Sequence, residues 1–194
     1  MNKKKLQTTI IVAILIVVSY IGLDYTNILK PQQSDAAISI SENTLQYYFP
    51  RNDQDPKPVL IGIINNSKEQ LDIAIYSITD QDIANAIVDA KQRGVNVRIL
   101  TDATQSAGKS QTAALDILRD AGITIKINKH SGLMHLKVTI ADKQIVTTGS
   151  FNYSKAAENQ NDEVFVVVNN TQVASDFTNE FERMWNDTSG FIEF

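Results

Sequence analysis

The chain has 194 residues, 43% of them hydrophobic, with a formal net charge of −4 and no cysteine. That is enough for one well-packed domain and an added segment, and too little for two catalytic domains. The lack of cysteine excludes disulfides and thiolate metal sites, and is compatible with a bacterial exported protein that folds without them. Four of the 18 basic and one of the 22 acidic residues fall in the first thirty, so residues 31–194 keep 14 and 21, a formal charge of −7. A bulk polyanion binder is thereby excluded, because phosphate contacts drive nonspecific nucleic-acid affinity. Any grip on nucleic acid has to be local.

Lys3, Lys4 and Lys5 precede an uncharged run of eighteen residues, Leu6 to Leu23, of which Ile10 to Val18 are wholly apolar. As a helix that run spans roughly 27 Å, near the hydrocarbon thickness of about 30 Å. Lysines ahead of it predict an N-terminus in the cytoplasm and the rest outside. The expectation is a transmembrane anchor over residues 1–23 in a bacterial cell membrane, single-pass, with the folded domain outside the cytoplasm. The rival is a cleaved signal peptide and secretion. Cleavage signals are poor, since Val17-Val18-Ser19 is a weak candidate and Ser34-Asp35-Ala36 lies far downstream.

Residues 24–42, with Pro31, Gln32, Gln33, Ser34 and Asp35, read as a polar linker. Residues 43–194 form the folded domain, which opens near Leu45 with the aromatic group Tyr47-Tyr48-Phe49. Val59 to Asn65 predicts a helix, Leu71 to Ser77 a buried strand, and Asp80 to Arg93 a helix ended by Gly94. Val95 to Thr101 follows as a strand, Gln111 to Ala121 as a helix ended by Gly122, and Ile123 to Ile127 as a strand. Three further strands precede a C-terminal helix over Thr171 to Asn186, whose stripe of Phe177, Phe181, Met184 and Trp185 reads as core packing. Apolar strands alternating with amphipathic helices predict an α/β sandwich. Ala103-x4-Gly108-Lys109-Ser110 imitates a phosphate-binding loop, but Ala103 replaces the glycine its tight turn needs. A mobile loop near the site is the better account. Lys126, Lys129 and His130 stand just before the densest cluster of reactive residues and could form a positive funnel in an acidic surface.

That cluster is HLKVTIADKQIVTTGSFNYSKAAENQNDE, residues 135 to 163, holding His135-x-Lys137-x4-Asp142, Gly149-Ser150-Phe151-Asn152 and Glu163. Cleaving a phosphodiester without a metal needs a nucleophile, cations on the non-bridging oxygens and an acid for the leaving oxygen. Imidazole serves as nucleophile or acid near neutral pH. A strand from His135 to Ile140 would put His135, Lys137 and Thr139 on one face and Leu136, Val138 and Ile140 on the other. A hairpin through Ala141-Asp142-Lys143-Gln144 would bring Gly149 to Asn152 back beside His135. Ser150 and Asn152 can donate to phosphate oxygens, and Gly149 allows close backbone approach. Glu163 opens the next apolar run and could reach the imidazole, fixing its tautomer.

This string resembles the signature of the phospholipase D superfamily, H-x-K-x4-D followed by Gly-Ser and Asn. Leu71 to Thr79, Ala90 to Val97 and Gly149 to Glu158 are similar to its small bacterial nuclease branch, which carries one motif per chain. The resemblance implies a mixed β-sheet flanked by helices on both faces. It implies that His135 forms a phosphohistidine, that Lys137 and Asn152 hold the phosphate and that Ser150 assists. Glu163 would pair with the imidazole, while Asp142, within the catalytic motif, would orient local structure. Members with one motif are expected as homodimers, the second chain's His protonating the leaving oxygen, with no cofactor or metal. The leading expectation is therefore a nonspecific endonuclease on DNA or RNA. A phospholipase D acting on lipid headgroups is the alternative, and a noncatalytic dimeric binding module is the third reading. A lipid enzyme should show an apolar patch rimming the site.

Overall fold

The computed structural model describes residues 44–194. The anchor and linker expected in residues 1–42 lie outside the described residues. Among those described, no helix is long and apolar enough to cross a membrane.

Eight strands form one mixed sheet. In chain order they are β1 Thr44–Tyr48, β2 Gln70–Ile75, β3 Asn96–Thr101, β4 Thr124–Asn128, β5 Lys137–Ala141, β6 Ile145–Gly149, β7 Phe165–Asn169 and β8 Phe191–Glu193. Across the sheet the order is β1-β7-β6-β5-β2-β3-β4-β8. Only β2, β3 and β4 are mutually parallel, which is what their connecting helices allow. Those helices are α2 Gln81–Gln92 between β2 and β3, and α3 Ala103–Ser106 with α4 Lys109–Asp120 between β3 and β4, while α1 Lys57–Asn66 precedes β2 and α5 Lys155–Asn159 and α6 Thr171–Asn186 follow β6 and β7.

Both faces of the sheet are covered, as the resemblance implies. Leu71, Ile73, Ile75, Val97 and Ile99 pack with the buried sides of α1, α2 and α4. On the other face Ala74, Leu100, Val138, Ile140 and Val146 meet Phe181 and Met184 of α6, with Phe177 and Trp185 half-buried against them. Side chains of a strand alternate between faces, so β5 sends Val138 and Ile140 toward α6 and Lys137 and Thr139 the other way. The strand starts at Lys137, two residues later than expected, and His135 stands in the irregular lead-in.

Two short helices and two edge strands escape the sequence reading. The segment expected as a mobile loop is helix α3, capped by Asp102 Oδ1 accepting from Thr104 N and Gln105 N. Gly108 then caps α4. Lys126 does not join a funnel at the site. It belongs to the α6 face, its Nζ donating to Trp185 O at 2.7 Å and lying 4.6 Å from the indole centroid.

Candidate active site

Two turns bring the motif together. Asp142 and Lys143 both have positive φ (51° and 54°), with Gln144 N donating to Ala141 O, as in the type I′ turns that match strand twist. The β5–β6 hairpin therefore closes in the expected place. At the far end of β6, Gly149 has φ +130°, and a Cβ there would stand 2.1 Å from Val164 O. Only glycine lets the chain pass so close to β7. Ser150 N then donates to Val164 O at 2.9 Å, and Val164 N to Ser150 Oγ at 3.1 Å. The same pairing carries Glu163 to the site.

The result is a cavity of about 300 Å³ lined by His135, Lys137, Gly149, Ser150, Asn152 and Glu163. Five of the six expected site residues thus share one space. Asp142, expected to orient local structure, is the exception and lies outside this cavity. It sits at the opposite end of β5, where its carboxylate accepts from the backbone N–H groups of Lys68, Glu69 and Gln70 at 2.8, 2.8 and 3.0 Å. Those bonds tie the hairpin tip to the start of β2.

Lys137 is buried, its Nζ donating to His135 O at 2.8 Å. Burial pushes its pKa below the ordinary value of 10.5, opposed by the charges of Glu163 and Asp102. Asn152 is half-buried, and its Oδ1 is enclosed with no hydrogen-bond partner. An unpaired buried amide oxygen is costly, and a phosphate, which only accepts, would be met by the Nδ2 donor of this side chain instead. Glu163 differs from expectation. Its carboxylate accepts from Ser150 Oγ and, at 3.0 Å, from Asn161 Nδ2. Among the described residues it makes no hydrogen bond to His135, although both line the cavity.

The imidazole rests instead on Tyr76, which the sequence reading placed only within a buried strand. The two ring centroids are 4.5 Å apart and tilted by 60°. Lys137 Nζ lies 4.7 Å from the same ring. Tyr76 is fixed by its N–H donating to Leu136 O and by Gln105 Nε2 donating to its hydroxyl at 2.9 Å. Asp102, wholly buried, spends its second oxygen on Met134 N, the residue before His135. Asn152 is held through its neighbour Tyr153, whose N–H donates to Ser77 O and whose carbonyl accepts from Thr79 N and Asp80 N. Burial drives the Tyr153 phenol up to about 12, and its hydroxyl shares a 2.5 Å hydrogen bond with Thr139 Oγ1.

Beyond His135, a second cavity of about 410 Å³ includes His130, Leu133, Leu136 and Met184. His130 is exposed, with Nδ1 3.0 Å from Ser131 O and its ring against Phe191. Leu133 and Leu136 flank His135 with 52% and 39% of their surface exposed.

Comparison with known proteins agrees with this geometry. Residues 60–185 match the family described as cardiolipin synthase, PLD-like domain. A mitochondrial cardiolipin hydrolase of Chlamydomonas reinhardtii is 30% identical over 126 residues, 65% of this chain and 56% of that protein. A phospholipase D of Rickettsia bellii is 37% identical over 114 residues, 59% of this chain and 56% of the relative. The chain thus spans less than two thirds of these curated relatives. Among solved structures, the phospholipase D family member Nuc from Salmonella typhimurium superposes with a TM-score of 0.72 at 32% identity, covering 78% of this chain and 97% of Nuc. NucT from Helicobacter pylori gives 0.69 at 26% identity, covering 78% of this chain and 99% of NucT. With the fold, the hairpin and the cavity all in agreement, the chain belongs to the phospholipase D-like family.

Proposed function

We propose that this protein hydrolyses phosphodiester bonds through a phosphohistidine, acting on DNA or RNA as a homodimer. The observation that carries the chemistry is the shared cavity of His135, Lys137, Ser150 and Asn152. An imidazole nitrogen of His135 attacks phosphorus as the P–O bond to the leaving group breaks. Lys137 and Asn152 hold the non-bridging oxygens, where negative charge grows. A second imidazole gives the leaving oxygen its proton and then takes one from the water that cleaves the P–N bond. Each chain carries one such His-x-Lys set, so the second imidazole comes from the partner chain. No cofactor or metal takes part in this scheme.

Nucleic acid is favoured by the resemblance of this one-motif chain to the small bacterial nuclease branch and by the polar α3 segment, whose Gln105 reaches Tyr76. A phospholipid substrate is the second reading, favoured by the exposed Leu133 and Leu136 beside His135 and by the names of the curated relatives. The N-terminal run, if it anchors the chain outside the cytoplasm, would serve either substrate.

The test is activity of the full-length protein in EDTA on single-stranded or plasmid DNA and on phospholipid vesicles. DNA cleavage without headgroup release is the expected result, and the reverse would make the lipid reading the right one. His135→Ala and Lys137→Ala should each abolish turnover while leaving the fold intact by circular dichroism. Loss of all activity in EDTA, restored by a divalent ion, would overturn the metal-free scheme.

A further inference from the structure

Beside the cavity over His135 is another of about 480 Å³, which shares Ser150 and Glu163 with it and adds Phe49, Arg51, Asn52, Asp162 and Val164. None of these added residues belongs to the motif. They come from the chain just after β1 and from the segment leading into β7.

The three aromatic residues at the start of the domain divide their work. Tyr48 packs on Phe165 in the core, 6.2 Å between centroids. Phe49 is 44% exposed and leans on Tyr47 at 5.7 Å. Its backbone is set by three constraints: Phe49 N donates to Gln54 Oε1, Asn52 N donates to Phe49 O, and Pro50 opens a 3-10 turn over Pro50–Asn52. An exposed ring on a backbone fixed in this way offers a stacking surface. Arg51 is also anchored, its Nη1 donating to Gln160 O at 3.0 Å and its Nε lying 3.6 Å from Asp162.

Charge decides what this space accepts. One guanidinium stands against the two carboxylates of Asp162 and Glu163, so a second phosphate gains little there. A flat, uncharged group with hydrogen-bonding edges fits better. It can stack on Phe49 while the guanidinium, with donors remaining after its two contacts, and the Asn52 amide meet its edge. We propose that this cavity is a subsite for the nucleobase next to the cleaved phosphodiester, with Phe49 as its stacking platform. The subsite rests on the nucleic-acid reading of the His135 cavity.

Two substrates of equal length test it with the full-length protein: oligothymidylate, and an abasic deoxyribose-phosphate oligomer with the same backbone charge. Phe49→Ala should raise KM for oligothymidylate about five- to 150-fold, the range given by 1–3 kcal/mol per stacked base. The same variant should leave KM for the abasic oligomer near its wild-type value, and Phe49→Trp should restore tight binding of oligothymidylate. A purely structural role for Phe49 would instead alter both substrates alike. Cleavage of oligothymidylate by Phe49→Ala with unchanged KM, or equal losses on both oligomers, overturns the subsite while the nuclease reading stands. Failure of the wild-type protein to cleave either oligomer, with phospholipid hydrolysis intact, overturns the nucleic-acid reading and the subsite with it.

Discussion

Lys137 and His135 share one aromatic wall, and that fixes what single substitutions should do. The Tyr76 ring supports the imidazole and lies under the ammonium, so it acts as a positioning residue. Tyr76→Leu keeps the apolar bulk but removes the π face. The ammonium then loses about 0.5–1 kcal/mol of attraction, and the alkaline limb of the kcat/KM profile, which reports the free protein, should move down by about half a pH unit. Loss of imidazole support should lower kcat about ten- to a hundredfold. Tyr76→Phe retains the ring and should hold the pH profile in place while losing only the Gln105 tether. A Tyr76→Leu profile with an unchanged limb would refute the cationic contact. The wild-type profile carries its own prediction. In the proposed scheme Lys137 acts as a cation, and burial lowers its pKa, so kcat/KM should fall as pH rises through a value below 10.5. An arginine at position 137, charged throughout that range, would remove the limb if any turnover survived.

At the scale of elements, the site is held by groups that never touch substrate. Asp142 satisfies three backbone N–H groups at the start of β2. Asp142→Ala should cost about 1–3 kcal/mol in chemical denaturation, by leaving those donors to compete for water. Lys57 of α1 pairs with Asp80 at 3.1 Å, with Asp82 at 2.5 Å and with Glu158 at 3.7 Å, so α1, α2 and α5 meet at one ammonium. Lys57 and Asp80 are almost fully enclosed. Removing one partner of such a pair strands the other charge, and Lys57→Ala should cost about 3 kcal/mol, the low end because Lys155 still reaches Asp80. The hydrogen bond from Lys57 leads the contacts that hold the Asp80 carboxyl below its usual 3.8, against the opposing pull of burial. A depressed carboxyl stabilises the fold above its unfolded pKa, and that stability is lost as pH falls through the folded value. Acid unfolding of Lys57→Ala should therefore begin at higher pH than in the wild type, and an unchanged acid midpoint would show that the cluster is not stabilising.

These supports explain what was legible in the chain. The long elements were readable because burial imposes a period: α2 and α4 end at Gly94 and Gly122, both at positive φ, and β2 is buried on both faces. The hairpin was readable because turn chemistry is local, whereas the glycine expected to admit a phosphate turns out to admit Val164. Tyr76, Asp102 and Phe49 were not, because their roles arise from neighbours far away in sequence, such as Leu136, Met134 and Val164. Helices α3 and α5, of four and five residues, are too short to show a period. The expected Glu163–imidazole pair failed for a similar reason. Register brought Glu163 to the cavity, but the nearer Ser150 hydroxyl and Asn161 amide took its oxygens.

At the scale of the whole molecule, the question is where the second imidazole comes from. The chain has two histidines. His130 lines the cavity on the far side of His135, turned to Ser131 O and Phe191, and is absent from the space that holds Lys137 and Asn152. The proposed homodimer would supply the acid from a second His135, which requires a two-fold axis close to the cavity mouth. In such a dimer, a wild-type chain paired with a His135→Ala chain lacks one of the two catalytic imidazoles. Coexpression at equal levels with random pairing should leave about one quarter of the activity per total chain, because only dimers with two intact chains turn over. Independent monomers would leave one half. His130→Ala separates the remaining possibilities, because it should leave the one-quarter result and turnover untouched if the acid comes from the partner. One-half activity together with a large loss in His130→Ala would instead locate both imidazoles in a single chain, and the cavity shared by His130 and His135 would then become the place where the leaving group is protonated.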